Sequence, residues 1–178
     1  MEPAQACACA GLKALAVVGM GQVDSAGNPI EESILGTFDT VRDHGGRQWW
    51  LYASVCTACG QGWMIAQEER VHDNYGLKRL SAAQLMAIVE DNRWPDDFMR
   101  FEDVLRLGPD SGMGAIFLNP LDATETVAEL VADRPDITPH EVAYLLCLSP
   151  REATRLMNRR GSRLLQRIKA ALTPHALH

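Results

Sequence analysis

The chain predicts an α+β protein: a small N-terminal β-hairpin unit packed with helices, followed by a C-terminal helical segment. Three observations carry that expectation. Trp49, Leu51, Ala53 and Val55 alternate with Gln48, Trp50, Tyr52 and Ser54, which is the period of a strand with one apolar face. Ser81 stands in an N-cap position ahead of AAQLMAIVED, a helical pattern. Residues 137–172 hold two short helical patterns that meet at Leu148-Ser149-Pro150.

In chain order, residues 12–20 (LKALAVVGM) read as a short helix or a strand, since periodicity does not separate the two at this length. Gly19, Gly21, Gly27, Asn28 and Pro29 mark a turn-rich stretch to about Ile30. Residues 34–43 read as extended and 43–46 as a turn. The strand over 49–55 then enters the tight turn Cys56-Thr57-Ala58-Cys59-Gly60, and a return strand from Trp63 runs on through Val71. The helix after Ser81 places Ala82, Leu85, Met86 and Val89 on one face, and Pro95 breaks it. Residues 97–107 predict a second short helix ended by Gly108-Pro109, and 108–120 a Gly/Pro loop. Asp122 or Thr124 caps a helix over 124–133 that Pro135 ends. The expected organisation is a β unit over 1–80, a helical middle region over 81–134, and a helix–turn–helix-like segment over 135–172.

Composition narrows the function. The 178 residues are 47% hydrophobic, which is ordinary globular usage, and no stretch approaches the roughly 18 apolar residues of a spanning helix. The N-terminus lacks a basic region ahead of its apolar part, so no signal peptide is expected. Net charge is −6, yet from Arg151 onward seven basic residues face a single acid, so the body carries −12 and the tail +6. An acidic body joined to a basic helical tail points to a tail that binds something the body does not.

Four of the five cysteines fall in two tight pairs, Cys7-x-Cys9 and Cys56-x-x-Cys59, with 46 residues between them. That usage fits a reducing cytoplasm and a metal better than a disulfide framework. Four thiolates are a tetrahedral set for a structural Zn2+ ion, and His44 or His72 are the available substitutes for one of them. Gly60 lets the knuckle backbone fold so that its amides face sulfur. Over about 20 residues, 49–70, the C-x-x-C-G turn between two strands resembles the knuckle of zinc ribbons. The resemblance implies a closed site that staples the N-terminus to the hairpin and does not catalyse. The other expectation is that the cysteines are ordinary reduced thiols.

In the C-terminal segment, Thr138 or Asp136 caps the first helix, with Pro139 in its first turn. Val142, Ala143, Leu145 and Leu146 are expected to point inward. Cys147 sits in the turn where a glycine is usual, Ser149 caps the second helix, and Ala153, Leu156 and Met157 close the inward face. Glu141, Val142, Ala143, Leu145, Leu146, Leu148, Ser149, Pro150, Met157, Arg159 and Leu164 resemble the C-terminal helix–turn–helix of extracytoplasmic-function sigma factors. The similarity covers about 30 residues and does not extend to 1–130. It implies duplex DNA as partner, with Arg151, Thr154, Arg155 and Asn158 facing the major groove and Arg159 and Arg163 tracking phosphates. A single module covers a small site, so a homodimer is expected. The competing expectation is an amphipathic helix that lies against the acidic body.

No nucleophile motif, phosphate-cradling glycine loop or H-E-x-x-H occurs, so no catalytic residue is assigned. Turn and strand-end roles are expected for Asp43, His44, His72, Asp73, Glu68 and Glu69. The reading is thus a non-enzymatic, zinc-binding, DNA-binding regulator in the cytoplasm. The alternative is an acidic protein-binding module that neutralises a basic partner, as bacterial immunity proteins do to toxins. Its surface would be Glu90, Asp91, Trp94, Asp96, Asp97 and Phe98, acids set around aromatic anchors.

Overall fold

The computed structural model describes residues 7–45, 48–115 and 122–159. The architecture is α+β, in two compact units spanning 1–116 and 117–178. The first unit contains strands β1 (Leu15–Gly19), β2 (Phe38–Gly45), β3 (Trp50–Cys56), β4 (Gly62–Glu68) and β5 (Asn74–Leu80). They form one antiparallel sheet in the order β1-β5-β4-β3-β2. Strands β2 to β5 are thus a meander, and β1 returns to cover the free side of β5. Helices α1 (Ile30–Leu35), α2 (Ala82–Asp91) and α3 (Phe101–Asp110), with a 3-10 turn at Asp96–Phe98, complete the unit.

The expected hairpin is present as β3 and β4, paired from Trp50↔Gln67 to Val55↔Gly62. The return strand stops at Glu68, short of Val71. The buried Glu68 carboxylate accepts the backbone N–H groups of Arg70 and Val71, each at 2.8 Å, and of His72 at 2.7 Å, which turns the chain. Asp73 then adopts φ 53° and β5 begins. The ambiguous 12–20 stretch is β1. Ile34 and Leu35, expected as extended, end α1 instead, where Ile30, Ile34 and Leu35 pack at helical spacing under the sheet.

Strand β4 sits at the centre of the sheet and is buried along nearly its whole length, because both faces of the sheet are covered. Cys56, Trp63, Ile65 and Leu77 face one side, with the segment bearing Cys7, Cys9 and Leu12 and helix α1 packed against them. Leu51, Ala53, Met64 and Ala66 face the other and are fully buried. Each large side chain so buried stabilises the fold by about 1.5–3 kcal/mol. Here Trp49 stacks on Phe101 with ring centroids 5.7 Å apart. Gly76 admits Leu107 and Phe98, since a Cβ there would lie 2.2 Å from Leu107 Cδ1. Adjacent Trp49 and Trp50 are not both core: Trp49 is 8% exposed and Trp50 47%, as strand alternation requires.

Two helices add to or correct the sequence reading. The N-cap expected at Ser81 is present as a full capping box, with Gln84 N–H donating to Ser81 Oγ at 3.2 Å and Ser81 N–H to Gln84 Oε1 at 2.9 Å. Yet α2 buries Ile88 and packs Leu85 on Gly62, while Ala82, Met86 and Val89 are exposed. Apolar residues surround most of this helix, so spacing alone does not choose the face. Helix α3 does not end at Gly108-Pro109 but runs through both to Asp110. Proline so near the C-terminus removes one late hydrogen bond. Gly108 is a packing position, since a Cβ there would lie 2.4 Å from Cγ of the His72 ring.

The second unit holds α4 (Asp122–Asp133), α5 (Pro139–Leu145) and α6, which begins at 150 and is described to 159. Among its described residues, Val127, Leu130, Ile137, Val142, Ala143, Leu145, Leu146 and Ala153 are the buried hydrophobic ones, joined by Asp122 and Thr126. Among the described residues, no helix is long and apolar enough to cross a membrane.

Candidate metal centre and arginine-bearing helix

The two cysteine pairs meet. The Sγ atoms of Cys7, Cys9, Cys56 and Cys59 all lie within 4.8 Å of one another. Zinc–sulfur bonds near 2.3 Å place tetrahedral sulfurs roughly 3.8 Å apart, so a contraction of about 1 Å closes the cluster on an ion. All four are free thiols. Cys9 and Cys56 are buried, Cys7 is half-buried and Cys59 is exposed. His44 and His72 stand outside the cluster: His44 packs against Trp94 at 5.9 Å, and His72 lies against Gly108.

Local structure explains the convergence. Cys56 ends β3, and the turn to β4 is closed by Gly60 N–H to Cys56 O at 2.8 Å and Cys56 N–H to Gln61 O at 3.0 Å. Gly60 takes φ 74°, a left-handed conformation that glycine adopts without strain. The Cys59 and Ala58 backbone N–H groups then face Cys56 Sγ, and that of Gln61 faces Cys59 Sγ. Thr37 Oγ1 lies 3.3 Å from Cys56 Sγ. On the other side, Trp63 Nε1–H donates to Cys9 Sγ at 3.4 Å. Cys56 Sγ is therefore met by several donors and Cys9 and Cys59 by one each, contacts of the kind that orient sulfur for a metal.

The electrostatics are uneven. Burial pushes the Cys56 thiol up, but hydrogen bonds from Thr37 and from the Cys59 and Ala58 amides together outweigh it and hold the group at about 6. Burial pushes Cys9 up to about 12, against the opposing bond from Trp63. Ligation of a cation by all four sulfurs would require the buried Cys9 thiol to lose its proton. A cleft of about 560 Å³ opens beside Cys7, Cys9 and Cys59 and supplies an access route. The donor set and its amide shell fit a Zn2+-type ion, and four sulfurs leave no open coordination position.

Three residues that sequence reasoning did not attach to the site help build it. Thr37 is held by Thr57 N–H, which donates to Thr37 O at 2.8 Å. Trp63 was marked in the sequence only as the start of the return strand. Arg79 sits beside Trp63 in the β4–β5 ladder, a neighbour visible only once β5 is recognised as a strand.

In the second unit, α5 and α6 are two capped helices joined by a short turn at 146–149. Thr138 caps α5 in a full capping box with Glu141. Cys147 adopts φ 50°, and Leu148 N–H reaches back to Ala143 O at 2.9 Å, the bond of a left-handed helix C-cap. Ser149 caps α6, with Glu152 N–H donating to Ser149 Oγ at 3.3 Å and Ser149 N–H to Glu152 Oε2 at 3.1 Å. Val142, Ala143, Leu145, Leu146 and Ala153 are buried, and Leu156 and Met157 half-buried. Arg151, Thr154, Arg155, Asn158 and Arg159 are exposed. Arg163 lies outside the described residues.

The acidic patch is assembled differently from the expectation. Trp94 is 8% exposed and Phe98 2%, so the two aromatics are core and not surface anchors. Trp94 Nε1–H donates to Asn92 Oδ1 at 3.0 Å. Asp97 is paired with Lys78, and Asp91 lies 3.7 Å from Arg93. Glu90, Asp91, Asp96 and Asp97 remain at the surface.

The chain matches no family model, no curated protein and no solved structure, so the zinc-ribbon and sigma-factor likenesses rest on their motifs alone.

Proposed function

We propose that this is a non-enzymatic protein in which Cys7, Cys9, Cys56 and Cys59 hold a structural Zn2+ ion and α6 binds duplex DNA as part of a regulator. The cluster of four thiols within 4.8 Å supports the metal part. When bound, the ion would cross-link the N-terminal segment to the β3–β4 turn; the protein's own residues orient the sulfurs and keep Cys9 and Cys56 away from water.

The observation that carries the DNA part is the exposed face of α6. Arg151, Arg155 and Arg159 recur every fourth residue there, and none forms an ion pair among the described residues. Arg155 only helps lower the Glu152 carboxyl, which the Ser149 hydroxyl and backbone lower first. Thr154 Oγ1–H is bonded to Pro150 O at 2.8 Å, which leaves its methyl for apolar contact with a base. Asn158 and the arginines supply the polar reach. A single module reads one half-site, so a dimer on a two-fold site is part of the reading.

The test is a titration of labelled duplex DNA against the full chain at two salt concentrations, with Arg155→Ala/Arg159→Ala alongside. Binding should weaken steeply with salt, and the double variant should lower the log–log salt slope by about 2 if both residues meet phosphates. Absence of binding at low salt, where non-specific phosphate contacts are strongest, refutes the DNA part and leaves the metal part standing.

A further inference from the structure

Arg79 occupies a place that the metal reading does not require and that chain stability alone explains poorly. Its Nη2 donates to two carbonyls of the N-terminal segment, Cys9 O at 2.7 Å and Leu12 O at 2.9 Å. Its Nη1 donates to Gln61 Oε1 at 3.0 Å. Its guanidinium carbon stands 4.7 Å over the ring of Trp63, whose indole N–H bonds Cys9 Sγ. Gln61 is in turn fixed to the sheet through Gly62 O at 2.8 Å and Leu80 O at 2.9 Å, and its backbone closes the Cys56–Cys59 knuckle. One planar cation therefore touches both halves of the ligand set: the carbonyl of one cysteine and the residue two beyond another.

We infer that Arg79 is a positioning residue for the metal centre, clamping the Cys7–Cys9 segment to the Cys56–Cys59 knuckle so that the four thiols are assembled before an ion arrives. The inference rests on the metal reading above and deepens it. Two physical reasons support it. A segment of turns, stabilised internally by bonds such as Gly11 N–H to Ala8 O, would otherwise have to be ordered at the moment of binding, an entropy loss subtracted from affinity. Four thiolates around a divalent cation also leave the centre doubly negative, and a guanidinium beside it offsets that charge. A fork of donors is needed because three acceptors in different directions are satisfied at once; an ammonium on a flexible stem does not reproduce that geometry.

The test is a titration of reduced, metal-free full-length protein with Co2+, followed by the thiolate-to-metal absorption, and then competition with Zn2+. Wild type, Arg79→Met and Arg79→Lys are compared. The expected result is a 10- to 100-fold weaker affinity for Arg79→Met, the usual scale for residues that orient ligands, with little recovery in Arg79→Lys. In parallel, hydrogen exchange on metal-free wild type should show protected amides at Gly11 and Leu12, and this arm needs no variant to fold. Uptake by Arg79→Met within twofold of wild type, full recovery by Arg79→Lys, or unprotected Gly11 and Leu12 amides in the metal-free protein would each overturn the clamp. No thiolate-to-metal absorption in wild type would overturn the metal reading itself, and the clamp with it.

Discussion

Cys59 is the cysteine whose replacement best separates ligation from packing. It is exposed, whereas Cys9 and Cys56 are buried. Exchange of an exposed residue for alanine shifts stability by about 0.5 kcal/mol or less, so Cys59→Ala should leave the metal-free protein nearly unchanged. The ion acts only on the folded state: at a free concentration a thousandfold above Kd it stabilises by about 4 kcal/mol. For a unit of about 116 residues that corresponds to roughly 4 °C per kcal/mol, or a rise near 16 °C in Tm. Removal of one of four ligands should abolish most of that rise. The assay is thermal unfolding by tryptophan fluorescence, with Zn2+ or with chelator, under reductant. Trp49, Trp50, Trp63 and Trp94 all lie in the first unit, so the signal reports on the metal-bearing part alone. Cys56→Ala is the contrast: it should lose the zinc-dependent rise and also cost the metal-free protein about 1–3 kcal/mol, because Thr37 loses its buried partner. A wild type whose Tm ignores zinc, or a Cys59→Ala protein that keeps the full rise, refutes the reasoning.

Three further outcomes are expected. Cys147→Gly should stabilise the second unit by about 1 kcal/mol, because Cys147 holds φ 50° and a non-glycine residue is strained there; helical circular dichroism is the readout, since that unit has no tryptophan. Gly108→Ala should destabilise the first unit by about 1–3 kcal/mol through the clash with the His72 ring, and chemical denaturation monitored by tryptophan will show whether it does. The Glu141 carboxyl is held at about 2 by the Thr138 hydroxyl first, then the Thr138 backbone and Arg134. A depressed acid stabilises above its ordinary value of 4.5 and loses that contribution as pH falls toward 2, so α5 should loosen across that window, and Glu141→Gln should flatten the dependence in an acid titration followed by circular dichroism.

The sequence was informative where chemistry is local. N-caps at Ser81 and Thr138 are visible because a cap hydroxyl accepts an amide of the first turn within three residues; the reciprocal bonds from Gln84 and Glu141 came from the structure. The β3–β4 hairpin is visible because alternation and a glycine-closed knuckle are short-range signals. Strand β5 was not visible. Asn74-Tyr75-Gly76-Leu77-Lys78-Arg79-Leu80 has weak strand propensity, and it is extended because β4 and β1 pair on both its sides. The buried face of α2 was not legible for a related reason: apolar residues lie around much of the helix, and the sheet selects Leu85 and Ile88.

The same division runs through the candidate sites. From sequence alone came the α+β class, the two cysteine pairs, the knuckle that aims amides at sulfur, and the arginine spacing of α6. Each follows from bonds or periodicities within a few residues. Only tertiary structure decided that Cys7 and Cys9 join Cys56 and Cys59 across 46 intervening residues, that His44 and His72 do not, and that Trp94 and Phe98 are core. Arg79 belongs to this second group. Nothing near it in the chain marks it as part of a metal centre, and it becomes one only because antiparallel register sets it beside Trp63, under the carbonyls of Cys9 and Leu12. Contacts between distant segments depend on which faces pair to leave water, and that is a property of the whole packed sheet.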